Sequence, residues 1–168
     1  MVNRVDAQKE PERLSGKDIR KYIERAYQML IKKDKYLLEV DANERSITHR
    51  LAIYLELEFP EYNVDCEYNR NGIDPKRLIG FKEQIDSDDE NGTTVYPDII
   101  IHHRGKKCNF IVIEVKKISN RDDSDKKKLE IYKNKLFYEH AYFVRFLVGE
   151  DFKNNRCSSF EKYIEEIR

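Results

Sequence analysis

Tyr96-Pro97-Asp98-Ile99-Ile100-Ile101-His102, then Arg104-Gly105-Lys106-Lys107, then Phe110-Ile111-Val112-Ile113-Glu114-Val115-Lys116-Lys117, is the most apolar part of the chain, folded about a basic centre. Two runs rich in Ile and Val, joined by a short basic segment containing Gly, predict a β-hairpin with strands over Val95–His103 and Asn109–Lys117. Both faces of each run are apolar, the pattern of central strands in a sheet covered on both sides. Three charges interrupt that pattern: Asp98, Glu114 and Lys116. If Arg104–Lys107 forms a four-residue turn, His103 faces Cys108 and, counting back, Asp98 faces Ile113, beside Glu114. Glu114 and Lys116 share a face because side chains alternate along a strand.

Outward from the hairpin, the periodicity predicts a helix over Ser124–Tyr138, a strand over Ala141–Gly149 and a closing helix over Ser158–Ile167. Upstream, Ser15 with Asp18 three residues on reads as an N-cap. Ile19, Tyr22, Ile23, Ala26, Tyr27, Leu30 and Ile31 then recur at helical spacing to about Leu38. A second helix begins at about Asn43 and ends before Pro60, and Tyr62–Tyr68 alternates as a strand. Asn69–Thr94, with two Asn-Gly pairs and the acidic run Asp86–Glu90, reads as a long loop with a short strand near Arg77–Phe81. Residues 1–14 read as a flexible arm and 15–168 as a single domain.

The length of 168 residues suits one domain, and the 32 basic and 32 acidic residues cancel. No global field therefore advertises nucleic acid, and any such partner must meet a local patch. No apolar run approaches the roughly 20 residues of a membrane span, and residues 1–13 are charged, which predicts a cytoplasmic protein with no membrane partner. Cys66, Cys108 and Cys157 have neither CxxC spacing nor an even number, and read as reduced bystanders.

Two carboxylates side by side in an apolar sheet are unfavourable unless a cation compensates them. Mg²⁺, or Mn²⁺ in its place, suits an Asp and a Glu with an open side, because it takes hard oxygen ligands and commonly bridges to phosphate. Such a site points to phosphodiester hydrolysis, with Lys116 orienting a water or stabilising developing charge.

Pro97-Asp98 followed by Glu114-Val115-Lys116 resembles the signature of the PD-(D/E)XK, or restriction endonuclease-like, phosphodiesterases. The resemblance implies an α/β fold: a central mixed β-sheet flanked by helices in α-β-β-β-α-β order over about Asn43–Gly149, with an extra N-terminal helix and a C-terminal helix. It implies Asp98, Glu114 and the Val115 backbone carbonyl as metal ligands, Lys116 as catalytic lysine, and Glu44 as the acidic residue on the helix before the first core strand. The function it implies is a metal-dependent nuclease, a DNA endonuclease ahead of an RNA-directed enzyme, acting alone, as a homodimer or with a protein partner. The alternative is a catalytically silent binding or assembly subunit of the same fold within a larger nucleic-acid-processing complex. In a third, structural reading the central charges form a buried ion-pair cluster.

Tyr68 and Arg70, beside Glu67, end the first core strand as candidates to touch nucleic acid, as do Lys126 and Lys128 in the helix after the catalytic strand, where Asp125 and Tyr132 also stand to support the site. Arg104–Lys107, Lys116–Lys117 and Lys126–Lys128 are the basic clusters available for phosphate. His49 and Arg50 read as a solvated or capped pair, and His102 and His103 lie far from the carboxylate end with no expected metal role.

Overall fold

The computed structural model describes residues 14–68, 96–106, 108–118, 124–155 and 160–167, and the backbone of short strands between 70 and 94. The predicted arm up to residue 13 and the acidic run Asp86–Glu90 lie outside the described residues. Leu14, the last residue of that arm, packs against the core.

Helix α1 (Gly16–Glu39) starts at Ser15, whose hydroxyl accepts from the Asp18 N–H and donates to its Oδ2 at 2.6 Å. Its apolar stripe of Ile19, Ile23, Ala26, Tyr27 and Leu30 is buried. The helix kinks at Asp34 (φ −124°, ψ 25°). There the carboxylate accepts from Tyr54 and, at 2.9 Å, from Arg50, both on the next helix. Helix α2 (Glu44–Glu58) is capped by Asn43, whose Oδ1 accepts from the Ser46 N–H at 2.7 Å. Asn43→Ala is expected to destabilise the protein by about 1 kcal/mol and to lower the melting temperature by about 2–4 °C in a thermal melt.

The strands are β1 (Asn63–Cys66), the short β2 (Arg70–Asn71), β3 (Asp74–Pro75), β4 (Arg77–Leu78) and β5 (Thr93–Thr94), then β6 (Ile99–His102), β7 (Asn109–Lys117), β8 (His140–Phe146) and β9 (Ile164–Ile167). Helix α3 (Ser124–Leu136) crosses from β7 to β8, which makes that pair parallel, and α4 (Gly149–Asn154) follows β8. The result is a five-stranded mixed sheet ordered β1-β6-β7-β8-β9, with β2–β3 and β4–β5 as separate two-stranded ladders. Counted from α2 to β8, the main elements follow the expected α-β-β-β-α-β order.

Both faces of the sheet are covered. Ile99, Ile101, Ile111, Ile113 and Val115 pack with α1 and α2, while Ile100, Val112 and Phe143 pack with Leu129, Tyr132 and Leu136 of α3.

Three sequence expectations change. The hairpin register is one residue off: His102 pairs with Asn109 as the turn dictates, but Ile101 pairs with Ile111 and Ile99 with Ile113. Phe110 is the extra residue, a β-bulge that sends consecutive Phe110 and Ile111 into the same core. Asp98 thereby comes level with Glu114 instead of Ile113. Second, the closing helix is a 3₁₀ turn (Phe160–Tyr163) running into edge strand β9, which pairs antiparallel with β8. Ile164 and Ile167, three apart, suit one helical stripe, yet in a strand they face opposite ways, Ile164 into the first core and Ile167 into the second. Third, β8 stops at Phe146 because Gly149, at φ +58°, turns the chain into α4.

Candidate active site

Asp98 lies just before β6 and Glu114 lies within β7, and they lock together through the backbone. Asp98 Oδ2 accepts from the Val115 N–H at 2.8 Å, and Glu114 Oε1 accepts from the Asp98 N–H at 3.4 Å. Glu114 is 4% exposed. Burial pushes the Asp98 carboxyl up to about 6, opposed by the Val115 N–H and reinforced by the charges of Glu44 and Asp125. Burial, then the Asp98 charge, pushes Glu114 well above the usual carboxylate range.

Lys116 projects from the same face of β7 as Glu114. Its Nζ lies 2.9 Å from Oδ2 of Asp125, in the first turn of α3, and Lys128 Nζ lies 2.6 Å from Asp125 Oδ1. Asp125 is 3% exposed, so this three-membered ion network closes the α3 side of the site. Burial pulls Lys116 down, but the Asp125 carboxylate more than reverses it, so the ammonium is held above its ordinary pKa. The sequence reading places Asp125 in a charged helix start; its role as the partner of Lys116 emerges only when α3 folds back over β7.

Glu44 approaches from the other side, where its Oε2 accepts from the Lys117 N–H at 3.1 Å. Glu44 and Asp98 line one cleft of about 620 Å³ together with Arg45, Thr48, His49 and Tyr96. The structure thus brings Glu44, Asp98, Glu114 and Lys116 to one end of the sheet, and adds Arg45, Thr48 and Tyr96, which periodicity does not single out. Cys66, exposed at the cleft, is held as a thiol by desolvation of its sulfur and by the Asp98, Asp65 and Glu67 charges, which lift its pKa to about 11.

The candidate nucleic-acid residues have other partners. Tyr68 is partly buried against the second core with its ring 4.8 Å from that of His102, and the Arg70 side chain lies outside the described residues. Lys126 pairs with Glu165 of β9 at 2.8 Å, while Lys128 joins the Asp125 network. Arg104 is taken by Asp65, which also bonds the buried His102 at 2.8 Å, and Lys117 is taken by Asp41 at 2.7 Å.

Asp98, Glu114 and the Val115 carbonyl are hard oxygen donors, the chemistry Mg²⁺ prefers, and one or two carboxylates suffice for an ion that keeps waters and shares a phosphate. Four carboxylates (Glu44, Asp98, Glu114 and Asp125) couple here to two ammoniums, Lys116 and Lys128, an excess of negative charge that a divalent cation would offset. The donor types therefore suit such an ion, although among the described residues no group of three or more His, Cys, Asp or Glu side chains is arranged to hold a metal ion. No helix among them is long and apolar enough to cross a membrane. Neither a family model, a curated protein nor a solved structure matches this chain.

Proposed function

We propose that this protein is a divalent-metal-dependent nuclease on a restriction endonuclease-like core, acting on DNA. The observation that carries the reading is the Asp98–Glu114 pair, joined through the hairpin backbone, with Glu114 buried, Lys128 as a partial counter-charge and Asp98 opening onto the cleft. Asp98, Glu114 and the Val115 carbonyl would hold Mg²⁺ or Mn²⁺, with Glu44 on the far wall. When bound, that ion supplies Lewis-acid polarisation of the phosphoryl group and a more acidic water. Lys116, paired with Asp125 at 2.9 Å, presents a positive charge toward the developing phosphorane. Asp125 and Lys128 are positioning residues, acting through Lys116 and the carboxylate field.

Purified protein incubated with supercoiled plasmid, with labelled single-stranded DNA and with labelled single-stranded RNA should cut DNA in Mg²⁺ or Mn²⁺ and cut nothing in EDTA. Absence of cutting in every condition would remove the reading. The Lys116–Asp125–Lys128 network, satisfied by its own charges, favours as second reading a silent binding or assembly subunit. Calorimetric titration with Mn²⁺ separates the two: binding that disappears in Asp98→Ala supports the enzyme, and no binding supports the subunit.

A further inference from the structure

Tyr96 has no part in that chemistry, yet it is 55% exposed and lines the same cleft as Asp98, two residues on. The residue before a proline is restricted to extended conformations, and Pro97 is itself buried, so the Tyr96 ring stands on an anchored backbone. The cleft volume of about 620 Å³ is that of a small-molecule pocket. It suits one splayed nucleotide, whereas an intact duplex keeps its base faces stacked away from any side chain. Thr48, 6% exposed, belongs to the inner wall, and the exposed Arg45 and His49 supply donors for phosphate. Arg45 now pairs with Glu67 at 2.9 Å, but with 87% and 49% of the two side chains exposed that surface pair is cheap to exchange.

We infer that the cleft is a single-strand subsite, in which an unpaired base stacks on Tyr96 and its sugar-phosphate runs past Arg45 toward Asp98. The substrate class is single-stranded nucleic acid or the unpaired end of a duplex. This rests on the nucleic-acid reading above and narrows it.

The test is fluorescence anisotropy with a short labelled oligothymidylate and a blunt hairpin duplex closed by a non-nucleotide linker, in Ca²⁺, for the wild type, Tyr96→Ala and Tyr96→Phe. Tyr96→Ala should weaken oligothymidylate binding about tenfold or more, and Tyr96→Phe should stay within about twofold of the wild type. The hairpin should bind more weakly and respond to neither change. An unchanged affinity in Tyr96→Ala, equal sensitivity of the hairpin, or failure of both oligonucleotides to bind would overturn the subsite. Cleavage is scored separately. Cutting with Tyr96-independent binding removes only the subsite, whereas Tyr96-dependent binding without cutting keeps the subsite and removes the nuclease.

Discussion

Lys116→Ala is expected to lower metal-dependent cleavage by about 10²–10³, the usual cost of removing one preorganised donor at a centre of developing charge. The same change should lower stability by about 2–3 kcal/mol, below the full cost of breaking a buried ion pair, because Asp125 keeps Lys128 at 2.6 Å. Single-turnover rates measured below the variant's melting transition separate the two effects. Mn²⁺ binding by calorimetry should survive, since Asp98 and Glu114 remain. A variant that cuts as fast as the wild type would remove Lys116 from the chemistry. One that is destabilised and no longer binds Mn²⁺ would make Lys116 a scaffold for the carboxylates.

Asp98→Asn is expected to raise the stability of the metal-free protein at neutral pH. The Asp98 carboxyl titrates near 6 in the fold against an ordinary 3.8, so its ionised form is the penalised one. Its contribution is fully favourable below the ordinary value, falls as pH rises from about 4 to about 6, and is constant beyond; the loss across that window is roughly 3 kcal/mol. Asparagine can still accept from the Val115 N–H while carrying no charge. In EDTA at pH 7 the variant should therefore melt about 5–10 °C above the wild type, a gap that closes toward pH 4. Adding Ca²⁺ or Mg²⁺ should reverse the order by stabilising only the wild type, the more so at higher pH. Parallel melting profiles for the two proteins across pH 4–8 in EDTA would show that Asp98 carries no strain.

The hairpin and its carboxylates were legible because an acid inside an Ile- and Val-rich run has no bland place to go. The helices over 16–39 and 44–58 were legible through their Ser15 and Asn43 caps and their apolar stripes. What failed to show depended on contacts remote in sequence. Residues 164–167 carry too few apolar positions to tell one helical stripe from two sheet faces, and only β8 alongside settles the matter. Lys126, Lys128 and Arg104 look like phosphate-binding cations in one dimension, yet Glu165, Asp125 and Asp65 meet them in three. Tyr96 reads as the opening of a strand and stands instead at the lip of a cleft.

The bulge at Phe110 makes the spacing of the acids a matter of odd and even numbers. Across a four-residue turn in an unbroken ladder, positions on the same face are separated by odd intervals, and Asp98 and Glu114 are sixteen apart. One unpaired residue converts that even interval into a shared face. Deleting Phe110 would shorten the interval to an odd one and leave a regular ladder with both carboxylates still on one face, whereas closing the ladder with Phe110 retained would turn one of them to the opposite layer. Hairpins that carry paired acids at even intervals about such a turn should, by the same arithmetic, hide a bulge.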